Sequence, residues 1–158
     1  MHIIASHFKH YPLPTRLLDL LQPRLAIMKG VDCDARLDTM IPVGADWHRE
    51  IDQALDCCDF GLLLLSPGFF ASRFISRQEL PRFLGLGPDS GISIRKPIVP
   101  VGLEAVPLDG SADLKGLDRT QIFRDSQGNW FNRTRGYIRK TFEDELVAAI
   151  AAKLRADP

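Results

Sequence analysis

The sequence predicts an α/β fold, a flavodoxin-like three-layer sandwich around a central parallel sheet of five strands. Three observations carry that prediction. Apolar runs at residues 3–5 (IIA), 60–65 (FGLLLL) and 97–101 (PIVPV) lack polar alternation, as strands buried on both faces do. Helical patterns fall between these runs, and strand–helix alternation implies right-handed crossovers and parallel pairing. At 158 residues the chain has the common length of one domain with one core.

The elements follow in order. After the strand at 3–5, Pro14-Thr15 starts a helix carrying Leu17, Leu18, Leu20 and Leu21. A weaker strand candidate spans 25–33. Asp46 caps the next helix, in which Trp47, Ile51, Ala54, Leu55 and Cys58 recur at helical spacing. The strand at 60–65 follows, and Ser66-Pro67 opens a short helix with Pro at its first position. Beyond the strand at 97–101, residues 103–117 are rich in Gly, Pro and Asp and read as a surface connection. A second weak strand lies at 120–123. The last helix places Phe142, Leu146, Ile150 and Leu154 on one face, with Lys153 and Arg155 suiting its C-terminal end.

Composition narrows the function. Apolar content of 45% and charged content of 25% are ordinary for a globular fold. A net charge of zero gives no long-range pull toward nucleic acid or an anionic membrane. No apolar run approaches a bilayer span and no secretory leader opens the chain. Three cysteines, Cys33, Cys57 and Cys58, lack the spacing of a disulfide framework or a zinc site, so the cytosol is the expected compartment. The chain closes soon after a helix with Asp157-Pro158, which fits either a complete protein or the N-terminal effector domain of a longer one.

Several chemistries are missing. The sequence has no GxxxxGK[ST], GxGxxG or GxSxG motif, and its four histidines lack metal-ligand spacing. In open α/β sheets ligands bind beyond the carboxyl ends of the strands. That directs attention to loops 7–14, 34–46 and 66–79. In the third, Glu79 has two readings. It closes a capping box with Ser76 (SRQE), or it is a carboxylate at the mouth of the crevice. Pro81 counts against the cap, because a proline that early removes a helical donor.

The run Asp38-Thr39-Met40-Ile41-Pro42-Val43-Gly44-Ala45-Asp46-Trp47 resembles the loop and helix start of bacterial TIR (Toll/interleukin-1 receptor-like) domains. The similar order continues through Glu50-Ile51-Asp52-Gln53-Ala54-Leu55, Cys58-Asp59, the leucine strand, Ser66-Pro67, Phe70, Ala71-Ser72, Phe74 and Glu79-Leu80. It is densest over 38–80 and extends more weakly from Ile3 to about Leu154. Two departures stand out. The first strand ends Ile3-Ile4-Ala5-Ser6-His7-Phe8 rather than Phe-Ile-Ser-Tyr-Ser, and Val43 splits the Pro-Gly of the second loop.

The resemblance implies a TIR fold over residues 1–158. It also implies a NAD+ glycohydrolase that cleaves the nicotinamide–ribose bond, with Glu79 as the catalytic residue. One carboxylate suffices on chemical grounds. Nicotinamide in NAD+ is a pyridinium that departs neutral, so no general acid is required, unlike an ordinary glycoside. The remaining need is to stabilise positive charge developing on the ribose. By the same resemblance Ser6, His7 and Phe8 line the crevice, and Trp47 either shields nicotinamide or packs on the core. Ser72 bonds ribose or caps a turn. Asp38 and Ile41 meet a neighbouring subunit that completes the site. NAD+ is then substrate and no separate cofactor is expected. The expected partners are other TIR domains and a fused or separate sensor domain, with no direct nucleic-acid or membrane contact, in a bacterial antiphage system. The alternative is a TIR scaffold that acts by homotypic contacts alone. A phosphoacceptor receiver is excluded, because Ser6-His7 and Ser66 stand where its acids belong.

Overall fold

The computed structural model describes residues 3–6, 12–29, 46–86, 92–94 and 96–156. Three strands, β1 (Ile3–Ser6), β2 (Phe60–Leu65) and β5 (Ile98–Gly102), form a parallel sheet in the order β1-β2-β5. Leu62 and Leu64 belong to one apolar cluster, with Leu17, Leu21, Leu25, Phe142 and Leu146. Leu63 and Leu65 belong to another, with Ile51, Leu55, Phe69, Leu80 and Phe83. Successive side chains of a strand point to opposite faces, so the leucine run is buried throughout because helices cover both sides of the sheet.

On the first side lie α1 (Pro12–Ala26) and α5 (Gly136–Ala156). Arg24 joins them, 2.9 Å from Glu143 and 3.3 Å from Asp144. On the other side lies α2 (Trp47–Cys57), capped by Asp46, whose carboxylate accepts from the Arg49 amide at 3.4 Å. Its C-terminal end is held by Lys96, whose ammonium donates to the carbonyls of Leu55, Asp56 and Cys58 at 2.6, 2.9 and 2.9 Å. A cation at a helix C-terminus meets the negative end of the dipole and occupies otherwise unpaired carbonyls. Cys58 is buried there, its thiol donating to Leu55 O at 3.2 Å, while Cys57 is exposed. Burial pushes the Cys58 thiol upward, against the pull of Lys96, which suits packing rather than nucleophilic chemistry.

Both weak strand candidates are corrected. Leu25 and Ala26 close α1 instead of opening a strand, because Leu25 continues the buried face of Leu17, Leu18 and Leu21; residues 30–33 lie outside those described. Residues 120–123 contribute only Phe123, which pairs with β5 through Gly102 N to Phe123 O at 2.9 Å and Phe123 N to Pro100 O at 2.7 Å. A 3-10 turn at Leu117–Arg119 precedes it. A turn at Asp125, whose carboxylate accepts the amides of Gln127 and Asn129, follows and cuts the strand short. A further pair was not anticipated from the sequence. β3 (Leu84–Leu86) and β4 (Ile92–Ile94) run antiparallel, and the Gly-Pro-Asp-Ser-Gly between them is the turn signal that announces such a hairpin.

Candidate active site

The chain leaves the carboxyl end of β2 at Ser66, which is buried and caps α3 (Pro67–Ala71) by accepting from the Phe69 amide at 3.2 Å. Pro67 takes the first helical position, where its missing N–H costs nothing. Ser72 ends this turn and begins the next. Its amide donates to Gly68 O at 3.1 Å, and its hydroxyl oxygen accepts from the Ile75 amide at 3.3 Å. The turn-capping reading of Ser72 is therefore correct at the level of backbone bonding.

Residues 73–83 then form a continuous helical segment with a π-helical turn, Ile75–Glu79, leading into α4 (Leu80–Phe83). The Leu80 amide reaches five residues back to Ile75 O. Pro81 supplies the reason. In a regular helix its ring would strike the carbonyl of Arg77 and leave that carbonyl without a donor. Widening the turn by one residue relieves both problems, and such insertions often mark functional positions.

This geometry overturns the capping box. The Ser76 amide donates to Ser72 O at 3.1 Å, and the Ser76 hydroxyl donates to the same carbonyl at 2.9 Å. The helix begins four residues earlier than the Ser-x-x-Glu pattern suggests, so Ser76 has no amide to offer Glu79. The signal that locates the true start is Ser72, the first capping residue after the Ser66-Pro67 turn.

Glu79 is half-buried at the last position of the π turn, between exposed Gln78 and buried Leu80. The segment that carries it is fixed from both sides. Ile75, Leu80 and Phe83 sink into the second apolar cluster. Arg82 bridges to α2 through Asp52, at 3.3 Å, and Asp56. Phe83 lies so close to β2 that a Cβ at Gly61 would fall 2.4 Å from its ring, which is why the strand has glycine there. Arg73 and Arg77 are exposed.

The other expected site residues fall variously. Ser6 ends β1 opposite Leu63 and Trp47 opens α2, each placed by its backbone with its side chain outside what is described. His7, Phe8, Asp38 and Ile41 lie outside the described residues. Among the described residues, a cavity of about 250 Å³ lies elsewhere, lined by Leu108, Leu114, Asp118, Gln121, Ile122 and Arg124. None of the Glu79 segment lines it. Among the described residues there is also no helix long and apolar enough to cross a membrane. No protein-family model matches the chain, and no curated protein matches it.

Proposed function

We propose that the chain is a TIR-like NAD+ hydrolase in which Glu79 stabilises the ribosyl cation formed as nicotinamide leaves. The carrying observation is a half-buried carboxylate on a π turn that follows the central strand of a parallel sheet. The β1-β2-β5 order, extended by Phe123 beyond β5, supports a flavodoxin-like parallel sheet of five strands. Ordered similarity of residues 38–80 to bacterial TIR domains supports the family assignment.

In this reading Ser6, His7, Phe8, Trp47 and Ser72 surround the substrate. The Ser72 hydroxyl already accepts an amide and keeps its proton to donate. Asp38 and Ile41 face a second subunit, so activity depends on self-assembly. The cellular role is that of a cytoplasmic antiphage effector triggered by a fused or separate sensor domain. The scaffold alternative draws on the cavity at residues 108–124, which does not involve Glu79.

The test is NAD+ consumption by the purified domain over a wide concentration range, beside Glu79→Gln. Turnover that rises more steeply than protein concentration and falls at least about 100-fold in the variant supports the hydrolase. Equal turnover by the variant would refute the site. No turnover under crowding by either protein would favour the scaffold. Product chromatography separates linear from cyclic ADP-ribose.

A further inference from the structure

Two surface patches of opposite charge each carry an exposed apolar centre. The first surrounds the start of α5. Tyr137 is 83% exposed and Ile138 43% exposed, and residues 126–142 contain two arginines before the helix, an arginine and a lysine in its first turn, and no acid. Arg139 is committed inward, donating to Thr134 O and lying 4.7 Å over the Phe131 ring. Arg133, Arg135 and Lys140 are exposed and make no ion pair among the described residues. Arg16 of α1 adds charge nearby; burial first, and then Arg16 and Arg135 against the opposing pull of Glu143, lower the affinity of Arg139 for its proton. Cations at a helix N-terminus also oppose the dipole.

The second patch is the connection after β5. Residues 104–118 hold four acids, Glu104, Asp109, Asp113 and Asp118, against the single Lys115. Leu108 is 48% exposed among them. Hydrogen bonds from Ser111 hold the Asp109 carboxyl below its usual range, so it stays ionised. Of the four large apolar side chains exposed among the described residues, three are thus divided between these two patches.

We infer that the basic patch around Tyr137 docks onto the acidic 104–118 connection of a second copy of this chain. The apolar centres, Tyr137 with Ile138 on one side and Leu108 on the other, meet inside a rim of opposite charges, the arrangement of a small interface with a dry centre. Each copy carries both halves, so every subunit offers a place for another. The contact does not rest on the NAD+ reading, because it is read by mass rather than by turnover.

Sedimentation of the full chain over a concentration series tests it. The wild type gains mass with concentration, and association weakens at least tenfold between about 50 mM and about 500 mM salt, as the screening length shortens. Arg135→Glu with Lys140→Glu stays monomeric, and so does Asp113→Lys with Asp118→Lys. An equimolar mixture of the two variants associates again, since reversed and intact patches are complementary across them. Tyr137→Ser weakens association without changing charge, and circular dichroism establishes that each variant is folded. Association unchanged in both charge-reversed variants overturns the inference. A wild type that stays monomeric at low salt overturns it too, and retention of an anionic oligonucleotide by that monomer would reassign the basic patch to a polyanion.

Discussion

The two sides of the sheet are built differently. The α1/α5 side is regular. Its helices run 15 and 21 residues, and Phe142 lies at its centre, edge-on to Phe123 at 5.2 Å and tilted to Phe131 at 5.5 Å. The α2/α4 side is assembled from short pieces, with serine caps at 66 and 72, a π turn, and a lysine capping α2. Long helices with one apolar face need only burial to be stable. Short helices need each terminus satisfied. The second side accepts that cost and gains control over where individual side chains sit, which is what a site requires. The regular side is a platform, and the irregular side carries Glu79.

The largest effect expected from breaking this contrast is on stability. Phe142→Ala removes a fully buried ring from the platform and costs about 3–5 kcal/mol. Denaturant titration reads that loss. Turnover per folded molecule should stay within about twofold of wild type; a deeper loss would mean that the two sides are not separable.

The two internal prolines sharpen the contrast. Pro23 lies within α1 and is exposed, and the helix ends three residues later at Ala26 without a π turn. Pro81 follows the π turn of the other side. Proline in a helix interior is less favourable than alanine by about 3 kcal/mol, less near an end. Pro23→Ala should therefore stabilise the chain by about 1–3 kcal/mol with no change in the proposed NAD+ cleavage. Pro81→Ala removes the reason for the widened turn. The segment can then rewind as a regular helix, rotating Glu79 by about 100° against the residues that follow. Displacement of a catalytic group by about 1 Å is enough for losses near 100-fold. Under the proposed reaction, NAD+ cleavage should fall while the melting temperature stays level or rises. A Pro81→Ala variant with full activity would show that the π turn does not aim Glu79.

The same contrast explains what was legible in the sequence. On the platform side, Phe142, Leu146 and Ile150 fall on a buried face as their spacing requires. The leucine run of β2 is buried on both faces, and Asp46 and Ser66 cap as their residue types suggest. Near the site, local pattern misleads. Ser76 and Glu79 have capping-box spacing, yet Ser72 captures the helix start first, and only the three-dimensional path of the chain decides between two serines four residues apart. In the sequence, Pro81 counts against a cap. Its consequence, a π turn, depends on the helix continuing through it, which packing of Leu80 and Phe83 on the core compels. Residues 120–123 have strand-like composition, but the turns on either side leave room for one paired residue.

The smallest expected effect distinguishes the two serines. Removing a side-chain cap costs about 1 kcal/mol, whereas a serine inside a helix gives up almost nothing when replaced by alanine. Ser72→Ala should lower stability by about 0.5–2 kcal/mol, because the Ile75 amide loses its acceptor. Ser76→Ala should be neutral or slightly stabilising, since its hydroxyl only duplicates the bond its amide already makes to Ser72 O. Thermal melts of the two variants compare these costs directly. In the proposed reaction Ser72→Ala carries a second consequence, because the hydroxyl that caps the helix also donates to ribose. Ser72→Gly retains most N-cap stability but has no hydroxyl. Its KM should rise to match that of Ser72→Ala even though its stability is closer to wild type. A Ser72→Gly variant with normal KM would confine this serine to its cap.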